Sequence, residues 1–143
     1  MSIINSFSEE YSFLSNFTYS PIVENGVTYP TVEHAFQALK TLDLQERQKV
    51  VNCNTPGRAK RMGATMVLRS DWEKIKVHIM RTLLILKFNI PEFRKQLLAT
   101  GDATIIEGNR WHDNFWGDCV CPECTEPGEN ILGELLMEIR SNL

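Results

Sequence analysis

Apolar residues recur at helical spacing over most of the chain, with short β-prone stretches between them. Val32, Ala35, Phe36 and Leu39 fall at i, i+3, i+4 and i+7, one apolar stripe of a helix that Thr31 caps after Pro30. Glu33, Gln37 and Lys40 share a second face of that helix. Asp43 followed by Glu46 has capping-box form and opens a short helix toward Val51. Thr55-Pro56-Gly57 begins a third helix, which carries Arg58, Lys60 and Arg61 and for which Gly63 reads as the stop. Ser70 with Glu73 is expected to cap the longest helix, running to about Phe88 with a core stripe of Trp72, Ile75, Ile79, Leu83 and Leu86. Pro91 starts another, ended by Thr100-Gly101. Asn130 caps the last, with Leu132, Leu135, Leu136 and Ile139 inward.

The β signal is smaller. Asn25-Gly26 between Ile22 and Tyr29 predicts a two-residue type I′ hairpin, because both central positions need φ > 0. Residues 104–107 are short and β-branched, a strand able to join a small N-terminal sheet. The stretch through Phe13, Leu14 and Phe17 is aromatic and irregular, and residues 108–129 are loop-rich. The expected fold is α+β: a helix-dominated single domain over residues 1–143 with a small N-terminal β-hairpin or sheet.

Composition agrees, with 43% hydrophobic and 23% charged residues in 143, as in a globular chain of one-domain size. The longest uncharged apolar run, Thr82 to Leu86, is far too short for a bilayer, so no membrane partner is expected. The first five residues lack a basic n-region and an apolar h-region, which points to the cytoplasm. Charge is unevenly placed. Residues 1–39 hold four acids and no Lys or Arg, residues 40–95 hold 13 bases against five acids, and residues 96–143 hold two bases against nine acids. Such a chain is no whole-surface nucleic-acid binder, but it suits a local phosphate-binding wall opposite carboxylates.

Four constellations carry candidate chemistry. Glu33 lies in the first turn of its helix, where the dipole favours a carboxylate that stabilises a developing cation or acts as a base. Lys40, about 10 Å further along the axis, reaches a ligand that Glu33 also touches; a solvated helix face is the plainer reading. Trp111-His-Asp-Asn-Phe-Trp-Gly-Asp118 packs three aromatics, a histidine and two carboxylates into one loop. Asp113 is its best second carboxylate; alternatively Trp111, Phe115 and Trp116 plug the core while Asp113 and Asn114 make a turn. The helix start at Thr55 offers free N–H groups beside Arg58, Lys60 and Arg61 for a phosphate, or is merely an exposed basic helix. Cys119, Cys121 and Cys124 read first as reduced thiols. As zinc ligands they need a fourth, from Cys53 or His112. His34 and His78 read as packed or surface histidines, and no P-loop, G-x-G-x-x-G, G-x-S-x-G or H-E-x-x-H pattern occurs.

Several short motifs then follow one another in order: Phe13-Leu-Ser-Asn-Phe17, Tyr29-Pro-Thr-Val-Glu-His-Ala-Phe-Gln-Ala-Leu-Lys40, Asp71-Trp72, Met80 with Lys87-Phe88, Leu97-Leu-Ala-Thr-Gly101, Ile106-Glu107, Trp116-Gly-Asp118 and Asn130 to Arg140. This order resembles the YbiA-like, or NADAR, domain family over nearly the whole chain. The resemblance implies an N-glycosidase without cofactor. Family members cleave ribosylamino-pyrimidine phosphates of the early riboflavin pathway, or remove ADP-ribose from guanine in nucleic acid. It implies a functional Glu at Glu33, Trp at Trp72 and Asp at Asp113, with Lys40 the closest motif lysine for a Schiff-base intermediate. Gln37 and Trp116 fall within the matched motifs and join Trp72, Arg58, Lys60 and Arg61 as candidate substrate contacts. One departure is that a Gly-rich stretch of many members is replaced here by the cysteine-containing segment Cys119 to Glu129. The implied partners are a phosphorylated ribosyl or ADP-ribosyl small molecule, or ADP-ribosylated nucleic acid. A non-catalytic ADP-ribose or nucleotide-binding module, zinc-stabilised or not, is the competing expectation.

Overall fold

The computed structural model describes residues 2–143. They form two compact units, one comprising residues up to Ser15 with Pro91–Leu143, the other Asn16–Ile90. The architecture is α+β and helix-dominated, as expected from the periodicity.

The Asn16–Ile90 unit opens with a hairpin, β2 (Ile22–Glu24) and β3 (Val27–Tyr29), in antiparallel register Ile22↔Tyr29. Asn25 (φ 50°) and Gly26 (φ 82°) make its turn, as the Asn-Gly pair requires. Helix α1 (Val32–Ala38) follows, its first turn closed by Thr31, whose side chain accepts from the His34 N–H. Helix α2 (Leu44–Val51) is capped by Asp43, which accepts from the Gln45 and Glu46 amides. Helix α3 (Pro56–Ala64) is capped by Thr55 with Pro56 in the first turn. Helices α2, α3 and α4 (Trp72–Phe88) all pack on α1. Every residue of α1 is buried, polar ones included.

Three expectations in this unit need correction. Gly63 does not stop α3, which continues to Ala64. It is a contact glycine: a Cβ there would run into the Gln37 side-chain amide. Ser70 does not cap α4. The cap position is Asp71, whose carboxylate makes no cap bond because Arg69 holds it through Nε (2.7 Å) and Nη2 (3.3 Å). Arg69 also donates its backbone N–H to Lys40 O (2.8 Å), closing the end of α1. The α4 core stripe is rotated from the expected one. Met80, Leu83, Leu84, Lys87 and Phe88 are buried with Trp72, while Ile75, Ile79 and Leu86 are only half-buried.

In the other unit, β1 (Ile3–Ile4) pairs in parallel with β4 (Thr104–Ile105), so residues 104–105 join the N-terminal strand and not the hairpin. The stretch read as irregular contains a 3-10 helix (Glu9–Leu14) that buries Phe13 and Leu14 and packs on α5 (Pro91–Ala99). Gly101, at φ 63°, follows α5 in the turn. Two short strands, β5 (Gly108–Asn109) and β6 (Asp118–Cys119), pair in parallel within the loop-rich stretch. Helix α6 (Ile131–Ser141) buries Leu132, Leu135, Leu136 and Ile139, the expected face, against β4. Asn130 occupies its cap position at φ 53° without a side-chain cap bond. The amide instead bridges outward, accepting from Glu107 N and donating to Ile105 O, both at 2.9 Å. Among the described residues no helix is long and apolar enough to cross a membrane.

The contact at Gly63 is directly testable. Gly63→Ala is expected to lower stability by about 1–3 kcal/mol, because the methyl must displace the wedged Gln37 amide. Gly57→Ala meets only ordinary contacts, at 3.8 and 3.9 Å, and is expected to be neutral or slightly stabilising, by up to about 1 kcal/mol. Urea midpoints of the two variants decide the matter.

Candidate active site

Helix α1 places Glu33 and Gln37 on one face, one turn apart, and Lys40 follows in the turn beyond its C-cap Leu39. The Glu33 backbone N–H, an orphan of the first turn, donates to Asn16 O (3.1 Å). Glu33 is buried (8% exposed) and its Oε2 accepts from Gln37 Nε2 at 2.5 Å. Burial pushes its carboxyl pKa above the usual range. The Gln37 hydrogen bond and the charges of Lys60, Lys40 and His34 pull the other way. Desolvation is the largest of these influences, so burial as well as the helix dipole and cations sets this carboxyl's ionisation. Lys40 is half-buried, and burial lowers its pKa, with Lys60 and Lys76 adding to the effect and Glu33 opposing it. The two shifts run toward each other, the pattern of a carboxyl and an amine suited to exchanging a proton.

The solvated-face reading of this helix fails, since Glu33 and Gln37 are both buried. Gln37 Oε1 and Asn16 Oδ1 are buried without a hydrogen-bond partner among the described residues. Each such atom costs about 1–3 kcal/mol, a cost that native folds tolerate chiefly at functional sites. Asn16 also donates to Met80 Sδ at 3.6 Å. It was missed as a site candidate, although it stands inside the Phe13–Phe17 motif.

Lys60 is exposed on α3 and its charge acts on both Glu33 and Lys40. Arg58 and Arg61 are exposed on the same helix. Trp72 is 6% exposed and lies tilted against Phe36 of α1, ring centroids 5.0 Å apart. His34 is a packed histidine, bonded to Thr31 Oγ1 (2.8 Å) and Cys53 O (3.0 Å). Lys87 went unremarked as a titratable group. It is fully buried beside the Phe88 ring, and burial alone lowers its pKa to about 7. A lysine inside the apolar run ending at Phe88 was the available signal. A cleft of about 600 Å³ lined by Leu39, Leu42, Arg47, Arg69, Asp71 and Ile79, among others, includes none of the residues proposed from sequence.

In the other unit, Asp113 forms the turn that its loop position suggests. Its Oδ1 accepts from Phe115 N (3.1 Å) and Trp116 N (2.9 Å), and its backbone is gripped by the Asn109 amide. The loop aromatics do not plug the core. Trp111 is exposed, while Phe115 and Trp116 are half-buried and meet edge-on at 4.9 Å. Gly117 lies so close to Glu107 that no side chain fits there. The thiols of Cys119, Cys121 and Cys124 converge on His112, and Cys53 is not part of that cluster.

The chain is similar to known proteins over nearly its whole length. A family model described as the NADAR domain matches residues 4–143. The chain is 42% identical to N-glycosidase YbiA of Escherichia coli (strain K12), over 99% of its own length and 88% of that protein. It is 33% identical to an N-glycosidase of Nostoc punctiforme, covering 94% of this chain and 87% of that one. It is 36% identical to a riboflavin biosynthesis protein of Vibrio vulnificus, of which it matches 36%. The solution structure of Escherichia coli YbiA superposes with a TM-score of 0.82 at 39% identity, over 99% of this chain and 86% of that one. Matched over residues 4–143 by the family model and superposing on a solved relative over 99% of its length, the chain belongs to the NADAR domain family.

Proposed function

We propose that the chain is an N-glycosidase that hydrolyses the ribosyl C–N bond of a phosphorylated ribosylamino-pyrimidine from the riboflavin pathway, or of an ADP-ribosylated guanine, the matched length acting as one domain. The carrying observation is Glu33: a buried carboxyl held by Gln37, with Lys40 and Lys60 acting on it. The N-glycosidase names of relatives covered over most of their length support the enzyme over a mere binding module. The riboflavin relative favours the pyrimidine substrate.

Breaking the C–N bond builds positive charge at the ribosyl C1, while the departing base takes up a proton or negative charge. Ionised Glu33 stabilises that cation, and a buried charge acts strongly where water is excluded. Asp113 and Trp116 are further candidates on the family resemblance alone. Trp72, buried and tilted against Phe36, leaves little open surface for the base. Arg58, Lys60 and Arg61 hold the phosphate, Lys60 with the added effect of tuning Glu33 and Lys40.

The lowered pKa of Lys40 favours a second route within the same activity. Its unprotonated amine forms a bond to C1 as the C–N bond to the base breaks, the proton lost from the amine passing to the departing base; the bond from C1 to the ring oxygen then breaks to give the imine, which water hydrolyses. Borohydride added during turnover is expected to leave a ribosyl adduct on Lys40, located by peptide mass spectrometry. Turnover that is unaffected by borohydride and leaves no adduct assigns the step to water directly.

Release of free base and ribosyl product, followed by chromatography on both substrate classes, tests the proposal. Glu33→Gln is expected to lower kcat by about 100- to 1,000-fold with ligand affinity nearly kept. Full activity in that folded variant removes Glu33 from the mechanism. Charge removal at Arg58 or Arg61 is expected to raise KM with kcat little changed. At Lys60 the pH profile shifts as well. Unchanged kinetics in all three variants make the α3 bases a solvated face.

Stability moves opposite to activity. The folded pKa of Glu33 is raised, so the wild type loses stability as pH rises through that pKa. Glu33→Gln is expected to melt higher than wild type at neutral pH. The gap closes as pH falls below the ordinary carboxyl value of 4.5, where both states of the wild type are protonated. Thermal melts across pH give the comparison.

A further inference from the structure

His112, Cys119, Cys121 and Cys124 place one ligand atom each within 4.8 Å of one another. We propose that these four residues bind a structural zinc ion, through His112 Nδ1 and three thiolates. The geometry carries it. His112 Nδ1 lies 3.3 Å from Cys124 Sγ, 3.4 Å from Cys121 Sγ and 3.9 Å from Cys119 Sγ. Tetrahedral zinc, with Zn–S near 2.3 Å and Zn–N near 2.0–2.1 Å, sets nitrogen and sulfur about 3.6 Å apart, in the middle of those distances. None of the three sulfurs is in a disulfide.

The surrounding chain is arranged to deliver these donors. Cys121-Pro-Glu-Cys124 has knuckle spacing, Cys119 sits two positions earlier at the end of β6, and His112 precedes it across the loop from β5. His112 adopts φ 67°, a left-handed backbone that costs a non-glycine residue about 1–2 kcal/mol; coordination offsets that cost. Asn114 supports two of the ligands, donating from Nδ2 to Cys124 Sγ (3.5 Å) and accepting the Cys119 N–H at Oδ1 (2.8 Å). Cys53, the other fourth ligand the sequence allowed, instead donates its thiol to Lys49 O at 3.4 Å.

On binding, three Zn–S bonds and one Zn–N bond form, and the three thiol protons pass to solvent. Four protein ligands close the coordination sphere, so the ion has no open position for substrate water and serves structure. It fixes the loop in which His112 adjoins Asp113, whose Oδ1 in turn orders Phe115 and Trp116.

The test uses the full chain, purified without a polyhistidine tag under reducing conditions, and reads metal by elemental mass spectrometry. The expected result is about one zinc per chain. Replacement by Co²⁺ is expected to give the intense visible bands of tetrahedral cobalt together with thiolate-to-metal charge transfer. Cys121→Ser should lose zinc and the charge-transfer intensity, and Cys53→Ser should keep both. If Cys121→Ser does not fold, the cobalt spectrum of the wild-type chain decides alone. A reduced wild-type chain that takes up neither ion overturns the proposal. So does an octahedral cobalt spectrum, or metal lost with Cys53→Ser and kept with Cys121→Ser. These readouts do not depend on glycosidase activity.

Discussion

The close approach of α3 to α1 at Gly63 is the constraint on which the Glu33 site depends. With no side chain at Gly63, the Gln37 amide packs against the α3 backbone, and its Nε2 is fixed on the Glu33 carboxylate. The fold accepts a buried amide oxygen without a partner to achieve this. The carboxyl so held is desolvated, and desolvation sets its pKa against the pull of nearby cations. A site built this way gives up stability for a poised acid. The energy that retains it comes from the apolar side of the same helix, where Val32, Ala35 and Phe36 are buried.

The ends of α1 show the same economy. At its start, Thr31 caps the helix and also bonds the His34 ring, while Asn16 receives the Glu33 N–H. At its end, Arg69 closes on the Lys40 carbonyl and is itself held by Asp71. Seven residues make too short a helix to persist alone. Three neighbouring helices and both ends hold it. Substitutions that loosen any of these partners should therefore reach the carboxyl without touching it.

Much of this was legible in the sequence, for identifiable reasons. Thr31, Asp43 and Thr55 cap as expected because each precedes a well-patterned helix and its side-chain oxygen stays on the first-turn amides, Thr31 even while it bonds the His34 ring. The hairpin was legible because Asn25-Gly26 leaves the backbone few alternatives. Ser70 does not cap because α4 starts one position later than the Ser-x-x-Glu pattern implies, and the Asp71 carboxylate that takes the cap position is held by Arg69. The α4 stripe was misplaced because apolar spacing alone does not say which partners a long helix meets; Phe36 draws Trp72 inward, and the buried Lys87 lies on the inner face. Gly63 read as punctuation because a packing glycine and a stop glycine look alike in one dimension. The Glu33–Gln37–Lys40 face was visible as a pattern, but its burial was not, since a polar stripe usually faces water. His112 was one of two open choices for a fourth thiol partner, and the backbone turn that aims it is a property of the fold.

The central claim is that the fold holds the Glu33 carboxyl in a desolvated setting, and that its chemistry follows. A carbon-detected NMR titration of the Glu33 side-chain carboxyl in the folded protein measures this directly. The account predicts a midpoint above the ordinary value of 4.5, moving further up when Lys60 is replaced by a neutral residue, because Lys60 opposes the shift. A midpoint at or below 4.5, indifferent to Lys60, would contradict it.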